Sequence, residues 1–216
     1  MANTQSGEAT RLLHRAYDLN GSADNEKFYT TWASSYDTDL ESLQYASPQR
    51  SVEAVVKNIG SRELPLKILD AGCGTGLVGE CLAASALSGK FTVDGLDLTP
   101  GMLETARAKN VYQALGVADL TKPVARSDGS YDVVMCVGTL TKGHVGPAVF
   151  NEFVRVAATG GLVVATVHVE IWESGGYKSV VDALAASGVA DIVSVDEFGI
   201  MKDSSQGGRM VVLRKK

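Results

Sequence analysis

Cysteine is scarce. The 216 residues contain three, Cys73, Cys81 and Cys136. An odd count, with two of them in or beside a glycine turn, does not make a disulfide framework, and no CxxC spacing points to zinc. Reduced, core-lining thiols and no metal are the expectation. Positive charge is also in deficit: 20 Lys and Arg against 25 Asp and Glu give a formal net charge of −5. No basic run is longer than the terminal Arg214-Lys215-Lys216. This argues against nucleic acid or an anionic membrane as partner, because both need a positive surface. No apolar run approaches the roughly 18 residues of a membrane span. Met1 to Gly7 is polar, with no apolar signal region, and there is no internal repeat or low-complexity segment. The expected setting is soluble, reducing and cytoplasmic.

What the chain does have is 45% hydrophobic and 21% charged residues, ordinary for a globular protein and enough for a sizeable core. It is organised around Ile68-Leu69-Asp70-Ala71-Gly72-Cys73-Gly74-Thr75-Gly76-Leu77. The apolar run from Leu66 to Leu69 predicts a buried strand. It ends in Asp70 and three glycines at alternate positions, and Leu77, Val78, Cys81 and Leu82 follow at helical spacing. Strand, glycine turn and helix present backbone N–H groups to a ligand at a strand's carboxyl end. Glycine lets the ligand lie where a Cβ would intrude.

Further strands are predicted over 91–97, within 111–117, over 131–137 and 162–168, and finally over 192–200 and 210–213. Helices are predicted after Gly79, from Thr99-Pro100, and over 148–157 and 176–187. This alternation predicts a mostly parallel α/β sheet with helices on both faces. The short connection 202–208 predicts a closing antiparallel hairpin. Residues 1–9 are expected to fray. Helices over 10–20, 26–36 and 47–59, the last with Ser47 as N-cap and Pro48 as first residue, predict an N-terminal helical cap (1–60) on a core (61–216).

The glycine turn resembles the first motif of class I S-adenosylmethionine (SAM) methyltransferases, and the later motifs follow in that family's order over about residues 64–216. The resemblance implies a seven-stranded Rossmann-like sheet ordered 3-2-1-4-5-7-6. It implies that Asp70, Ala71, Gly72, Cys73, Gly74, Gly76 and Leu77 hold the methionine half of SAM. Asp97 ends the second strand where the family carries an acid for the ribose hydroxyls; Leu98 would flank the adenine and Met102 the ribose side. Ala118-Asp119-Leu120 matches the family's small-Asp-apolar triplet, whose acid accepts from the adenine amino group. Val137 and Gly138 fall beside the transferred methyl. Tyr29-Thr30-Thr31-Trp32-Ala33-Ser34-Ser35-Tyr36-Asp37 is similar to the segment that closes over SAM in small-molecule methyltransferases, where aromatic faces suit a sulfonium. With Asp39 to Tyr45 it also resembles the Williams-Beuren-region methyltransferase-like proteins.

Each assignment has a plainer alternative. Tyr29, Trp32 and Tyr36 also fit a core-facing helix face, Asp97 a helix cap, and Asp119 a turn aspartate. His144 sits in a glycine-bracketed loop after the fourth strand, where the family places substrate and base residues. It is the first candidate base, with Tyr36 second, and Thr139, His144 and His168 are candidate substrate contacts. A loop histidine is otherwise surface, and His168 otherwise caps a strand edge. Gly74-Thr75-Gly76-Leu77-Val78-Gly79 satisfies GxGxxG, so an NAD-dependent oxidoreductase is the rival reading. Its register is poor: four residues separate the first glycine from the strand, and no convincing Tyr-x-x-x-Lys pair follows. Thr139-Leu140-Thr141 stands where amino-methylating nucleic-acid and glutamine enzymes carry Asn/Asp-Pro-Pro-aromatic. The expectation is therefore methyl transfer from SAM to a small-molecule acceptor, leaving S-adenosylhomocysteine. A cyclase or other use of the cofactor, or a non-enzymatic subunit, remains open.

Overall fold

The computed structural model describes residues 2–216, with side chains from residue 6 onward. Four helices come first: α1 (Ala2–Ala16), α2 (Ser22–Trp32), α3 (Tyr36–Ser42) and α4 (Ser47–Asn58). Three expectations change in these helices. The segment expected to fray is helical from Ala2, and Met1 lies outside the described residues. The helix expected over 26–36 starts at Ser22 and stops at Trp32. The cause of the break is a partnered acid. Trp32 Nε1 and Ser35 Oγ both donate to Asp39 Oδ2 at 2.8 Å, and Tyr36 opens a new helix around that buried carboxylate. Ala16, Phe28, Trp32 and Leu40 form a small apolar cluster among these helices. Ser47 is not the cap of α4 but its buried first residue, with Pro48 next, as fits a residue without a free N–H requirement in a first turn.

The rest alternates. β1 (Leu66–Ala71), α5 (Leu77–Ala83), β2 (Phe91–Asp97), α6 (Pro100–Ala108) and β3 (Ala114–Val117) come first. β4 (Tyr131–Leu140), α7 (Val149–Val156), β5 (Ala157–His168) and the single turn α8 (Val169–Trp172) follow. α9 (Tyr177–Ala186), β6 (Ala190–Gly199) and β7 (Gly207–Lys215) close the chain. The start of β5 is irregular around Gly160 and Gly161, where pairing jumps from Tyr131–Ala157 to Val133–Leu162. Glu170 and Trp172 lie in α8.

The strands make one sheet in the order β3-β2-β1-β4-β5-β7-β6. All neighbours are parallel except β7, which runs antiparallel to both β5 and β6. Along β4, Val133, Met135 and Val137 join one core cluster while Val134, Cys136 and Leu140 join the other. Both faces are covered, which is why this strand reads as a continuous apolar run rather than an alternating one. The parallel registers bring the carboxyl ends of β1, β2, β4 and β5 to one edge, and the N-terminal helices stand over it. Arg50 anchors α4 there, donating to the carbonyls of Gly199, Met201 and Lys202 at the β6–β7 hairpin. No helix among the described residues is long and apolar enough to cross a membrane.

Candidate active site

The three turn glycines all have positive φ (+80°, +54° and +93° for Gly72, Gly74 and Gly76), a region costly to residues with a Cβ. Their surroundings differ from the simple expectation of a ligand lying on each. A Cβ on Gly72 would collide with Thr139 Oγ1 from β4, and one on Gly76 with Tyr112 and Ala106. Only at Gly74 does a Cβ meet open space. The turn is thus shaped by its own neighbours at two positions and free at the middle one. Its conformation is held by Asp97, whose Oδ2 accepts from Gly74 N and whose Oδ1 accepts from Thr99 N, both at 2.8 Å. Burial raises the Asp97 pKa, and the bonds from Thr99, Gly74 and Leu98 pull it back down without cancelling the rise.

A cavity opens beside this turn. Tyr29, Tyr36, Gly72, Gly74, Asp97, Leu98, Met102, Ala118, Asp119, Leu120, Val137, Gly138, Thr139 and His144 all line it. Residues singled out separately along more than a hundred positions therefore share one wall. Asp119 holds Thr121 N at 3.0 Å and Thr121 Oγ1 at 2.6 Å on Oδ1, and accepts from Ser22 Oγ at 3.3 Å on Oδ2. Burial opposes its ionisation, but the Thr121 and Ser22 bonds outweigh that and lower its pKa.

α2 forms the roof. Ser22, Asn25 and Tyr29 lie at i, i+3 and i+7, on one helix face. Asn25 Nδ2 donates to the carbonyls of Gly21 (2.9 Å) and Gly143 (3.1 Å), which fixes the amide's orientation and leaves Oδ1 buried with no partner. Tyr29 Oη lies 3.0 Å from His144 Nε2. His144 Nδ1 lies 2.9 Å from the Lys142 carbonyl and 3.0 Å from Thr141 Oγ1. A carbonyl only accepts, so Nδ1 carries the proton and Nε2 accepts from the Tyr29 hydroxyl. Burial lowers the His144 pKa, against the Lys142 bond, so the ring is neutral near pH 7. Burial raises the Tyr29 pKa.

A family model described as a methyltransferase domain matches residues 68–161. Methyltransferase-like protein 27 of Homo sapiens is 34% identical over 170 residues, covering 77% of this chain and 68% of that protein. This chain belongs to the SAM-dependent methyltransferases. Among solved structures, a putative SAM-dependent methyltransferase of Methanococcus maripaludis superposes with a TM-score of 0.62 at 15% identity, over 87% of this chain and 93% of the other. The [4+2]-cyclase SpnF superposes with a TM-score of 0.67 at 13% identity, over 91% and 97%. At those identities the likeness is one of fold. The chain spans about half to two thirds of the length of the curated relatives it matches.

The methyltransferase's residues fit SAM. Asn25 is a wall residue whose Oδ1 is buried without a partner, an acceptor that a donor group of an adenosine would satisfy. Asp97 and Asp119 add carboxylate oxygens with unused lone pairs. The GxGxxG reading finds no support in the geometry. Gly79 is covered by Tyr112, whose hydroxyl takes the Gly79 N–H at 3.1 Å, so the end of that pattern faces a side chain and not a ligand.

Seven expected residues do not line this cavity. Asp70 points beneath the turn. It is wholly buried, and Oδ2 accepts from Tyr112 Oη at 2.7 Å while Oδ1 has no partner. Burial, against the Tyr112 bond, pushes its pKa up to about 7. Ala71 and Cys73 are core, and burial raises the Cys73 thiol pKa. Gly76 caps α5, and Leu77 packs under the N-terminal helices. Trp32 and His168 line a second cavity, which meets the first at Tyr29, Tyr36 and Gly138. Tyr45 Oη stands where a Gly138 Cβ would be, so glycine is required there both for its φ of +75° and for that approach. Ser22, Asn25, Thr99, Thr121 and Val145 also line the first cavity and escaped sequence reasoning. Asn25 had one available signal, its position one turn before Tyr29. Tyr45 and Tyr112 had none, since their partners are far away in sequence. Among the described residues no cluster of three or more His, Cys, Asp or Glu could hold a metal ion.

Proposed function

We propose that this methyltransferase transfers the methyl group of SAM to a small-molecule acceptor at the junction of the two cavities. The observation that carries the reading is that junction: Tyr29, Tyr36 and Gly138 belong to both walls, and Tyr29 is hydrogen-bonded to a neutral histidine. SAM, when bound, supplies an already activated methyl on a sulfonium. The protein's tasks are to bind, align and exclude water. Gly72 and Gly74 would take the methionine half, Asp97 the ribose hydroxyls, and Leu98, Met102, Ala118, Asp119 and Leu120 the adenine side. Val137, Gly138 and Thr139 would flank the reacting methyl. The N-terminal helices act as the lid, joined to the core by Ser22–Asp119, Asn25–Gly143 and Tyr29–His144.

His144 is the base in this reading, acting through Tyr29. An acceptor proton passes to Tyr29 Oη as the hydroxyl proton of Tyr29 passes to His144 Nε2, and the resulting imidazolium keeps its Nδ1–H on the Lys142 carbonyl. A negative net charge and enclosed cavities favour a metabolite over nucleic acid or a membrane as partner. The test is incubation with SAM and a metabolite extract, followed by mass spectrometry. The expected result is a product heavier by ~14 Da with S-adenosylhomocysteine formed in equal amount. A product of unchanged mass and no S-adenosylhomocysteine would refute methyl transfer and point to non-methyl chemistry on the same fold.

A further inference from the structure

The two cavities differ in charge. The first presents Asp97 and Asp119. The second is lined by side chains of α1, α2 and α3, by Tyr45 and Ser47, and by the ends of β4, β5 and β6. No Lys, Arg, Asp or Glu lines it. Its one basic group is His168, whose pKa burial lowers, against an exposed Glu170 that raises it. His168 Nδ1 accepts from Glu170 N at 3.4 Å, so the neutral ring carries its proton on Nε2 and can only donate from there. The nearest guanidinium along β7, Arg209, is paired with Glu197 and does not line the cavity.

The walls are rings. Tyr17 packs on His168 with centroids 5.0 Å apart, and Trp32 packs on Tyr36 at 4.7 Å. Tyr45 and Phe198 complete the enclosure. The Thr166 hydroxyl accepts from Gly138 N at 2.8 Å and keeps its own O–H to donate. Tyr17 and Tyr36 have no side-chain hydrogen-bond partner among the described residues, and with His168, Tyr45, Ser47 and Thr166 they supply polar groups that can orient a guest.

We propose that this second cavity is the acceptor chamber, and that the acceptor is an uncharged, ring-bearing molecule with a phenol-like hydroxyl. The proposal rests on the methyl-transfer reading above and names the substrate class for it. No side-chain cation lines the cavity, so with S-adenosylhomocysteine in the first cavity an anion would be desolvated unpaired, a cost of several kcal/mol. A cation gains from the rings, but no carboxylate lines the cavity to pair it. A neutral ring needs no counter-ion: it gives up the hydration of one hydroxyl and must part the walls of a cavity of about 40 Å³, and stacking on the rings offsets that cost. The Tyr29–His144 pair selects a hydroxyl, because a neutral amine needs no base before it attacks. The step balances. The acceptor oxygen forms the new bond to the methyl carbon, and the electrons of the broken C–S bond stay on sulfur as a neutral thioether. The hydroxyl proton goes to Tyr29, whose own proton moves to His144.

The test uses the full chain saturated with S-adenosylhomocysteine and three probes of one shape: 2-naphthol, 2-naphthoate and 2-naphthylmethylammonium. Fluorescence titration reads probe binding, and calorimetry reads the S-adenosylhomocysteine separately. 2-Naphthol is expected to bind at least about tenfold tighter than either ion. Phe198→Ala, on a partly buried wall residue outside the first cavity, is expected to weaken 2-naphthol about fivefold and to leave S-adenosylhomocysteine unchanged. Equal or tighter binding of either ion overturns the uncharged class. Binding of none of the three overturns the ring-bearing class, and 2-naphthol binding indifferent to Phe198→Ala overturns the location. Failure of S-adenosylhomocysteine itself to bind would instead refute the reading on which the proposal rests.

Discussion

Asp97 has two jobs in this reading, and Asp97→Asn separates them. Before any ligand arrives, its carboxylate accepts from Gly74 N and Thr99 N at 2.8 Å each, one bond per oxygen. The first shapes the glycine turn and the second holds the entrance to α6. An asparagine in the same place has one oxygen and one NH2 group. In either orientation one backbone N–H keeps a weaker, neutral partner, and the other faces a donor. Each charge-assisted bond is worth ~1.5–3 kcal/mol and a neutral one ~1 kcal/mol. Allowing for the easier desolvation of an amide, Asp97→Asn should destabilise the ligand-free protein by about 2–4 kcal/mol. Urea unfolding of the ligand-free protein measures this as a fall in midpoint at unchanged slope. S-adenosylhomocysteine affinity should fall as well, since the turn and the ribose acceptor are both impaired. An unchanged urea midpoint with weakened ligand binding would refute the reasoning, because Asp97 would then serve the ligand alone.

Tyr29→Phe and His144→Ala should each leave SAM binding within a few fold while lowering turnover of a hydroxyl acceptor by roughly 10²–10³, and the pair together should cost little more than either alone; a fully additive double variant would argue against a shared proton path. In the parent enzyme the acid limb of the rate profile should fall below the ordinary histidine range, because burial lowers the His144 pKa. Asp70 predicts a pH slope in stability. Its folded pKa of about 7 exceeds its unfolded value, so its contribution is complete below about pH 4 and is lost as pH rises through 7, up to about 4 kcal/mol. Asp70→Asn should flatten the dependence between pH 4 and 7 in urea unfolding, and an equal slope in both proteins would contradict it. Lys109 pairs with Asp37 at 2.7 Å and Glu80 at 2.6 Å, while Thr75 donates to Asp37, so these residues tie the start of α3 to the glycine turn. Lys109→Met should speed S-adenosylhomocysteine release and hydrogen exchange in α2 and α3, and unchanged exchange there would refute a latch role.

The local chemistry of the chain carried a good deal of this outcome. Gly72, Gly74 and Gly76 at alternate positions after an apolar run admit few structures other than a tight turn between strand and helix. Asp97 ends β2 and Asp119 lies two residues past β3, one repeat apart, because each βα unit returns the chain to the same edge. Those regularities depend on near neighbours, which a linear pattern records. The break between α2 and α3 is different. Its cause is Asp39 seven residues beyond Trp32, and the aromatic spacing runs straight through the break.

Periodicity and the glycine register determined the class of fold and the sheet's edge, because each is set by steric limits and hydrogen bonding within one strand–turn–helix unit; the strand order and most candidates along that edge came from the resemblance to a known family. Tertiary folding alone assigned the orientation of each candidate. It turned Asp70 beneath the turn toward Tyr112 and Trp32 toward Asp39. It set Asn25 at the wall with an unpaired oxygen, and it brought Tyr29 within 3.0 Å of His144, 115 positions away. The physical reason is that a side chain's partner is chosen by packing among segments distant in sequence, and the energy of that choice is absent from any short stretch of chain.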